Sequence, residues 1–149
     1  MPPDREFNGG MKPTDAPKLR KNSFFTILVL DCDYCVDSVL GDFLKSEGYP
    51  VILAGSAEEA LAQTRAFEPD LILLDCELKG IRCLTLLPEL LTEHPGAAVI
   101  LLASRPKVSS VVEAMKLGAV DFFERPYDLQ KLKQAIELQK SLFADKTTF

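Results

Sequence analysis

The sequence contains no tryptophan, one histidine and four cysteines among its 149 residues. The cysteines (Cys32, Cys35, Cys76 and Cys83) are too few for a disulfide scaffold in a chain of this length. We therefore expect reduced thiols in a reducing compartment. The single histidine, His94, has no local partner for triad chemistry or for a metal cluster, and we expect it at the surface near a helix end.

Positive charge and long apolar runs are also scarce. Lysine and arginine total 17 against 22 acidic residues, which gives a net charge of −5 and no electrostatic footprint for nucleic acid or an anionic membrane. No apolar run approaches the roughly 20 residues that a membrane span needs, and the N-terminus lacks the apolar core of a secretion signal. We therefore expect a cytoplasmic protein that neither enters a membrane nor binds nucleic acid directly.

The length and the 47% hydrophobic content are typical of one globular domain. Residues 1–22 combine prolines and glycines with charges and lack apolar periodicity, which predicts a flexible tail. We place the folded domain at residues 23–145, and interpret residues 146–149 as its end or the start of a linker. No basic or catalytic module is evident, so we do not expect an enzyme, and the output activity would lie elsewhere.

Short apolar runs alternate with segments of helical period, which predicts repeated βα units. The runs are Phe24–Leu30, Val51–Ala54, Leu71–Leu74, Ala98–Leu102 and Val120–Phe123. The helical segments are residues 37–45, a helix opened by a capping box at residues 56–59, Leu84–Glu93, Pro106–Leu117 and Asp128–Phe143. Pro88 predicts that the third helix either starts late or is kinked. The fold class is therefore α/β, a three-layer, doubly wound domain around a five-stranded parallel sheet.

Carboxylates follow two of the predicted strands. Asp31 and Asp75 come directly after buried runs, and Asp33 and Glu77 lie two residues further on. In a doubly wound sheet the binding crevice lies at the carboxyl ends of the strands. Carboxylates gathered there suit Mg²⁺, and a carboxylate nucleophile beside the metal can accept a phosphoryl group. The residues alone leave open the simpler alternative that these are solvated turn residues.

Residues 26–140 resemble the receiver domains of two-component response regulators in the order and spacing of several motifs. The matching segments are Ile27–Asp31, Gly48–Ala54, Glu58–Leu61, Pro69–Asp75 and Gly118–Tyr127. The resemblance implies a flavodoxin-like sheet of strand order 2-1-3-4-5. It also implies that an aspartate accepts a phosphoryl group from a histidine kinase and that the domain relays the signal by a conformational change.

The resemblance places the phosphoacceptor on Asp75 and the first residue of the Mg²⁺-binding acidic pair on Asp31. Cys32 stands at the second acidic position, and a thiol is a poor ligand for the hard Mg²⁺ ion. Glu77 supplies a backbone carbonyl at the third metal position, and its side chain offers a substitute carboxylate. The implied cofactor is therefore a weakly held Mg²⁺ ion.

Further positions depart from the family pattern. Ala103 stands where the hydroxyl of a serine or threonine normally forms a hydrogen bond with the phosphoryl oxygen. Ser104 supplies this hydroxyl only if the chain shifts by one residue. Arg125 replaces the lysine that pairs with the phosphate, although its planar fork is not equivalent to an ammonium group. The resemblance implies a cis peptide bond between Arg125 and Pro126. It places Phe122 at the position of the aromatic switch.

Two alternative functions remain open on the sequence alone. The residues Cys32, Ala103 and Arg125 favour a receiver-like interaction module that signals by binding without phosphate. A thiol-based redox sensor using Cys32 with Cys35 or Cys76 is a third hypothesis. Against it, cysteine is commonly a small buried hydrophobic residue, and nothing else in the sequence indicates a redox enzyme or a zinc site.

The expected partners are a histidine kinase and, through one face, a second copy of the chain or an effector domain. Many receiver domains use the face formed by the fourth helix, fifth strand and fifth helix. In this chain its charged residues are Glu113, Lys116, Asp121, Lys131 and Lys133. A solvated charged face that binds nothing explains these residues equally well.

Overall fold

The computed structural model describes residues 25–30, 39–77 and 82–147, with side chains described as far as residue 143. Strands and helices alternate along it. The elements are β1 (Ile27–Leu30), α1 (Val39–Ser46), β2 (Val51–Ala54), α2 (Ala57–Phe67), β3 (Leu71–Asp75), α3 (Cys83–Glu93), β4 (Ala98–Ala103), α4 (Val108–Lys116), β5 (Asp121–Glu124) and α5 (Leu129–Thr147). The tail predicted for residues 1–22 lies outside the described residues.

The strands form a parallel sheet in the order β2-β1-β3-β4-β5. This confirms the predicted architecture and strand order. Strands β1 and β3 are buried along their whole length because helices cover both faces of the sheet. Within the part of the chain that the structure describes, no helix is long and apolar enough to cross a membrane.

The sheet carries a hydrophobic core on each face. Successive side chains of a strand point to opposite faces, and β3 shows the alternation clearly. Ile72 and Leu74 pack in the core that α2, α3 and α4 cover, whereas Leu71 and Leu73 pack in the core that α1 and α5 cover. Each fully buried leucine or isoleucine side chain contributes roughly 1.5–3 kcal/mol. The two cores fix β3, and with it Asp75 at its end, firmly in the centre of the domain.

The start of α2 follows the predicted capping box with one difference. The Ser56 hydroxyl accepts a hydrogen bond from the Glu59 backbone N–H (3.1 Å). The Glu59 carboxylate accepts from the N–H of Gly55 (2.8 Å) rather than from that of Ser56 itself. Both bonds satisfy donors at the end of β2 and the first turn of α2, so the helix begins where the sequence indicates.

The start of the third helix differs from one sequence-based expectation. Helix α3 begins at Cys83 and Pro88 lies inside it, so a late start with proline in the first turn is wrong. Proline lacks an N–H, and the helix loses one hydrogen bond there. Burial of Leu87 and Leu90 against the sheet compensates for that loss. His94 follows as the C-cap and is half-buried rather than fully at the surface.

The chain enters β1 through a polar contact. The Thr26 backbone N–H donates to the Asp70 carboxylate (2.9 Å), and both residues are buried. The predicted first strand begins three residues earlier, at Phe24, than the observed start at Ile27. Since Thr26 N–H is bound by a side chain, the parallel ladder begins only after it.

Candidate functional site

Asp75 is the last residue of β3 and its side chain is only 1% exposed. A buried carboxylate is costly unless charges or hydrogen bonds compensate it. Its Oδ1 atom accepts a hydrogen bond from the Glu77 backbone N–H (2.8 Å) and lies 3.1 Å from Nη1 of Arg125. The sequence reasoning singled out all three residues, and the fold brings them together at one end of the sheet.

Arg125 reaches this carboxylate from the end of β5. Its backbone N–H donates to the carbonyl of Ala103 (2.8 Å), which ties the end of β5 to β4. Its guanidinium also lies 5.9 Å from the ring centre of Tyr127, within the range of a cation–π contact. Within the described part of the chain Nη1 makes no aligned hydrogen bond, so its contact with Asp75 is chiefly electrostatic. The peptide bond between Arg125 and Pro126 is cis, as expected.

Glu77 connects the end of β3 to the end of β4. Its carboxylate Oε2 accepts a hydrogen bond from the Ser104 backbone N–H (2.8 Å), while its own N–H is directed at Asp75. Ala103, the last residue of β4, is buried, whereas Ser104 is exposed. The Glu77 carboxylate is therefore held by the residue that follows β4, which sequence spacing does not indicate because the two residues are 27 positions apart.

Asp31, Cys32, Asp33 and Cys35 lie outside the described residues. Among residues 25–30, 39–77 and 82–143, no three histidine, cysteine or acidic side chains form a metal-binding group. The Asp75 carboxylate and the oxygens of Glu77 are nevertheless hard donors of the kind that Mg²⁺ prefers. The donor chemistry of the described residues therefore fits this metal.

A cavity of about 440 Å³ opens beside the carboxyl ends of β3 and β4. Its apolar wall includes Leu101, Ala103, Val111 and Phe122, and the aromatic ring is half-buried. A methyl group at Ala103 leaves this wall without the hydroxyl that the family pattern has there. The predicted hydroxyl and switch positions thus lie on one surface.

A disulfide joins Cys76 and Cys83, so the expectation of reduced thiols is wrong for these two residues. Cys76 follows β3 directly and Cys83 begins α3. Their Cα atoms are 5.5 Å apart, within the range that a disulfide spans.

The charged face of α4, β5 and α5 is less uniform than the sequence suggests. Lys133 donates to the Glu47 carboxylate beyond α1 (3.0 Å), and this contact raises the pKa of Lys133 above its ordinary value. Lys133 therefore stabilises the contact between two elements of the domain. On α4, Val108, Val112 and Met115 are exposed at helical spacing, an apolar stripe that the sequence analysis missed.

The family model described as the response regulator receiver domain matches residues 27–137. The nitrogen assimilation regulatory protein NtrX of Azorhizobium caulinodans is 35% identical over 108 residues, which cover 71% of this chain and 24% of that protein. The sporulation initiation phosphotransferase F of Bacillus subtilis is 26% identical over 111 residues, covering 74% of this chain and 90% of that protein.

Among solved structures, the receiver domain of NtrX from Brucella abortus superposes with a TM-score of 0.69 at 30% sequence identity. The match covers 76% of this chain and 96% of that domain. The chain spans about a quarter of the length of the first curated relatives it matches, which are larger regulators. The family match, the relatives and the parallel sheet agree, and the chain belongs to the family of response regulator receiver domains.

Proposed function

We propose that Asp75 accepts a phosphoryl group from a histidine kinase and that the chain acts as a phosphorylation-dependent switch. One observation carries the proposal. The Asp75 carboxylate is buried at the end of the central strand β3 and lies 3.1 Å from the guanidinium of Arg125. An anionic nucleophile beside a fixed cation is what phosphoryl transfer requires, because the transferred group carries negative charge on its oxygens.

In the proposed reaction, a carboxylate oxygen of Asp75 attacks the phosphorus of the kinase's phosphohistidine. The phosphorus–nitrogen bond breaks, the imidazole leaves and takes up a proton, and Asp75 becomes an acyl phosphate. The Glu77 N–H and Arg125 both contact Oδ1, which fixes the rotation of the carboxylate before the reaction. After transfer, the guanidinium pairs with the phosphoryl oxygens.

Asp31, Asp75 and the backbone carbonyl of Glu77 would hold Mg²⁺, which neutralises charge that develops on the phosphoryl oxygens. Cys32 in place of a second acid removes one charge and one oxygen donor from this set. We therefore propose weak binding of the metal. The positions of Ala103 and Ser104 leave the phosphoryl group with fewer hydroxyl contacts than the family pattern provides.

We propose that phosphorylation is read out through Phe122 and the neighbouring face of α4, β5 and α5. The half-buried ring borders the cavity of about 440 Å³, which gives it room to change position. The exposed stripe of Val108, Val112 and Met115 offers an apolar contact for a second copy or for an effector domain. The histidine kinase is the proposed upstream partner, and the cytoplasm is the proposed location.

The intact mass of the purified protein, measured after incubation with acetyl phosphate and Mg²⁺, tests this proposal. We expect a single phosphoryl adduct that is stable in acid and labile in base. Asp75→Asn should form none, because an amide is not a nucleophile of this kind. Glu124→Gln, at an exposed position of β5, serves as the matched control and should still form the adduct. An adduct that persists in Asp75→Asn, or its absence from the wild-type protein even with Mn²⁺, would contradict the proposal.

A further inference from the structure

We propose that Cys76 and Cys83 form a reversible dithiol–disulfide couple that regulates phosphoryl transfer to Asp75. This inference rests on the proposed function, since it concerns regulation of the same site. The disulfide joins the residue directly after Asp75 to the first residue of α3. In a reducing compartment, disulfides are usually transient and either catalytic or redox-sensing. A pair beside a reactive carboxylate is therefore placed to affect it.

The two cysteines are brought together by the fold. The Cys76 backbone N–H donates to the carbonyl of Leu102 (2.8 Å), which fixes Cys76 on β4. Cys83 is anchored by α3, whose residues Leu86, Leu87 and Leu90 are buried against the sheet. With Cα atoms 5.5 Å apart, the sulfur atoms can pair and separate without moving either element.

Reagents can reach the pair. Cys76 and Cys83 are both half-buried and line the cavity of about 440 Å³. Two cationic residues, Arg82 and Lys107, line the same cavity, and Cys83 lies in the first turn of α3. A dithiol reductant acts as its own thiolate, and the positive charge of this cavity attracts that anion. The surroundings of this pair therefore suit redox chemistry better than an apolar core would.

The chemistry needs an oxidant and a reductant of stated classes. Hydrogen peroxide oxidises one thiol to a sulfenic acid: its O–O bond breaks, one oxygen bonds to sulfur, and the other leaves as water with the thiol proton. The second thiol then displaces hydroxide, which leaves as water, and the sulfur–sulfur bond forms. The pair loses two electrons to the peroxide in total. A dithiol reductant reverses the process by exchange, in which it becomes a disulfide and returns two electrons and two protons.

The oxidised pair restrains the acceptor through Glu77. This residue follows Cys76. Its N–H donates a hydrogen bond to Asp75 Oδ1 (2.8 Å), and its carboxylate accepts one from the Ser104 N–H (2.8 Å). Transfer to Asp75 requires the Glu77 backbone beside it to adjust to the incoming phosphoryl group, and a covalent link at Cys76 opposes that movement. The reduced protein should therefore accept the phosphoryl group faster, by about tenfold, the effect of one charge-assisted hydrogen bond.

The experiment compares peroxide-treated protein with dithiothreitol-treated protein. Peptide mapping after differential alkylation identifies which cysteines are joined, and intact mass gives the initial rate of adduct formation with acetyl phosphate and Mg²⁺. We expect a linked Cys76–Cys83 peptide in the oxidised sample and a rate about tenfold lower than in the reduced sample. Cys83→Ser should keep the faster rate under both treatments, while Cys35→Ser, the matched control, should keep the response. Cys83→Ala replaces Cys83→Ser if the latter fails to fold.

Equal rates in the two samples, with the disulfide mapped in the oxidised one, would overturn the inference and leave the proposed function intact. Failure to find the linked peptide would also overturn it. If neither sample forms an adduct, the proposed function is wrong, and hydrogen exchange then decides the inference separately. Reduction should speed exchange of the Glu77 N–H by about tenfold, and unchanged exchange would overturn the restraint that we infer.

Discussion

Replacement of Arg125 by alanine should destabilise the domain, because it removes the guanidinium that faces a buried carboxylate. At 3.1 Å, and with an effective dielectric constant of about 20, the Coulomb attraction is about 5 kcal/mol. Desolvation of the Asp75 carboxylate, which is 1% exposed, offsets part of this attraction. Solvent screening reduces it further, because the Arg125 side chain is 29% exposed. We expect a net loss of about 2–3 kcal/mol in the free energy of unfolding.

Urea denaturation followed by far-UV circular dichroism measures this loss, since the chain contains no tryptophan for fluorescence. Arg125→Lys keeps the charge and should cost about 1 kcal/mol. Asp75→Asn should have a small effect because its amide oxygen still accepts the Glu77 N–H. The double variant Asp75→Asn with Arg125→Ala should consequently be more stable than Arg125→Ala alone, by about 1–2 kcal/mol.

Two results would refute the reasoning. The ion pair would have no energetic role if the free energy of unfolding of Arg125→Ala lay within about 0.5 kcal/mol of the wild-type value. Ordinary surface substitutions fall within that range. Strict additivity of Asp75→Asn and Arg125→Ala would show that the cost of Arg125→Ala comes from lost packing on Tyr127. In both cases the guanidinium would not be paired electrostatically with the acceptor.

Three further predictions concern backbone, core and metal. Gly118 has φ +119°, which strains any residue with a Cβ, and an added Cβ would lie 2.7 Å from the Leu91 Cδ1 methyl, which must move, so Gly118→Ala should lower the free energy of unfolding by about 2 kcal/mol in urea denaturation. Gly48→Ala, at φ +93° with open space around it, should cost only about 1 kcal/mol, and equal losses would contradict the steric argument. Asp70→Ala should cost about 1–3 kcal/mol because the buried Thr26 N–H loses its acceptor. Asp70→Asn should lower the free energy of unfolding less than Asp70→Ala does. Equal losses would exclude the hydrogen bond from the Thr26 N–H as the cause. Cys32→Asp should raise Mg²⁺ affinity about tenfold in calorimetric titration, and unchanged affinity would show that this position does not contact the metal.

The sequence predicts most of the framework because a parallel sheet covered on both faces requires continuous apolar runs. Leu71–Leu74 and Ala98–Leu102 match β3 and β4 to within one residue at their ends. The position of Asp75 follows directly, since the residue after a buried run lies at the carboxyl end of its strand. The observed ends of α5 and β1 differ from prediction because apolar spacing gives no sharp signal for where hydrogen bonding starts or stops.

The tertiary contacts of the site could not be predicted in the same way. The bond from the Ser104 N–H to the Glu77 carboxylate joins residues from two loops, and no local pattern specifies it. The disulfide depends on where the fold places the end of β3 relative to the start of α3, which composition alone does not determine. The cysteine count argues against a scaffold of disulfides but says nothing about a single pair brought together by the sheet.

The central claim, that Asp75 is the phosphoacceptor, is tested most directly by chemical identification of the modified residue. Protein treated with acetyl phosphate and Mg²⁺ is reduced with borohydride, which converts an aspartyl phosphate to homoserine, and is then digested and sequenced by mass spectrometry. The account predicts homoserine at position 75 in the treated protein and aspartate there in a sample without acetyl phosphate. Homoserine at another position, or unmodified aspartate at position 75 in phosphorylated protein, would contradict it.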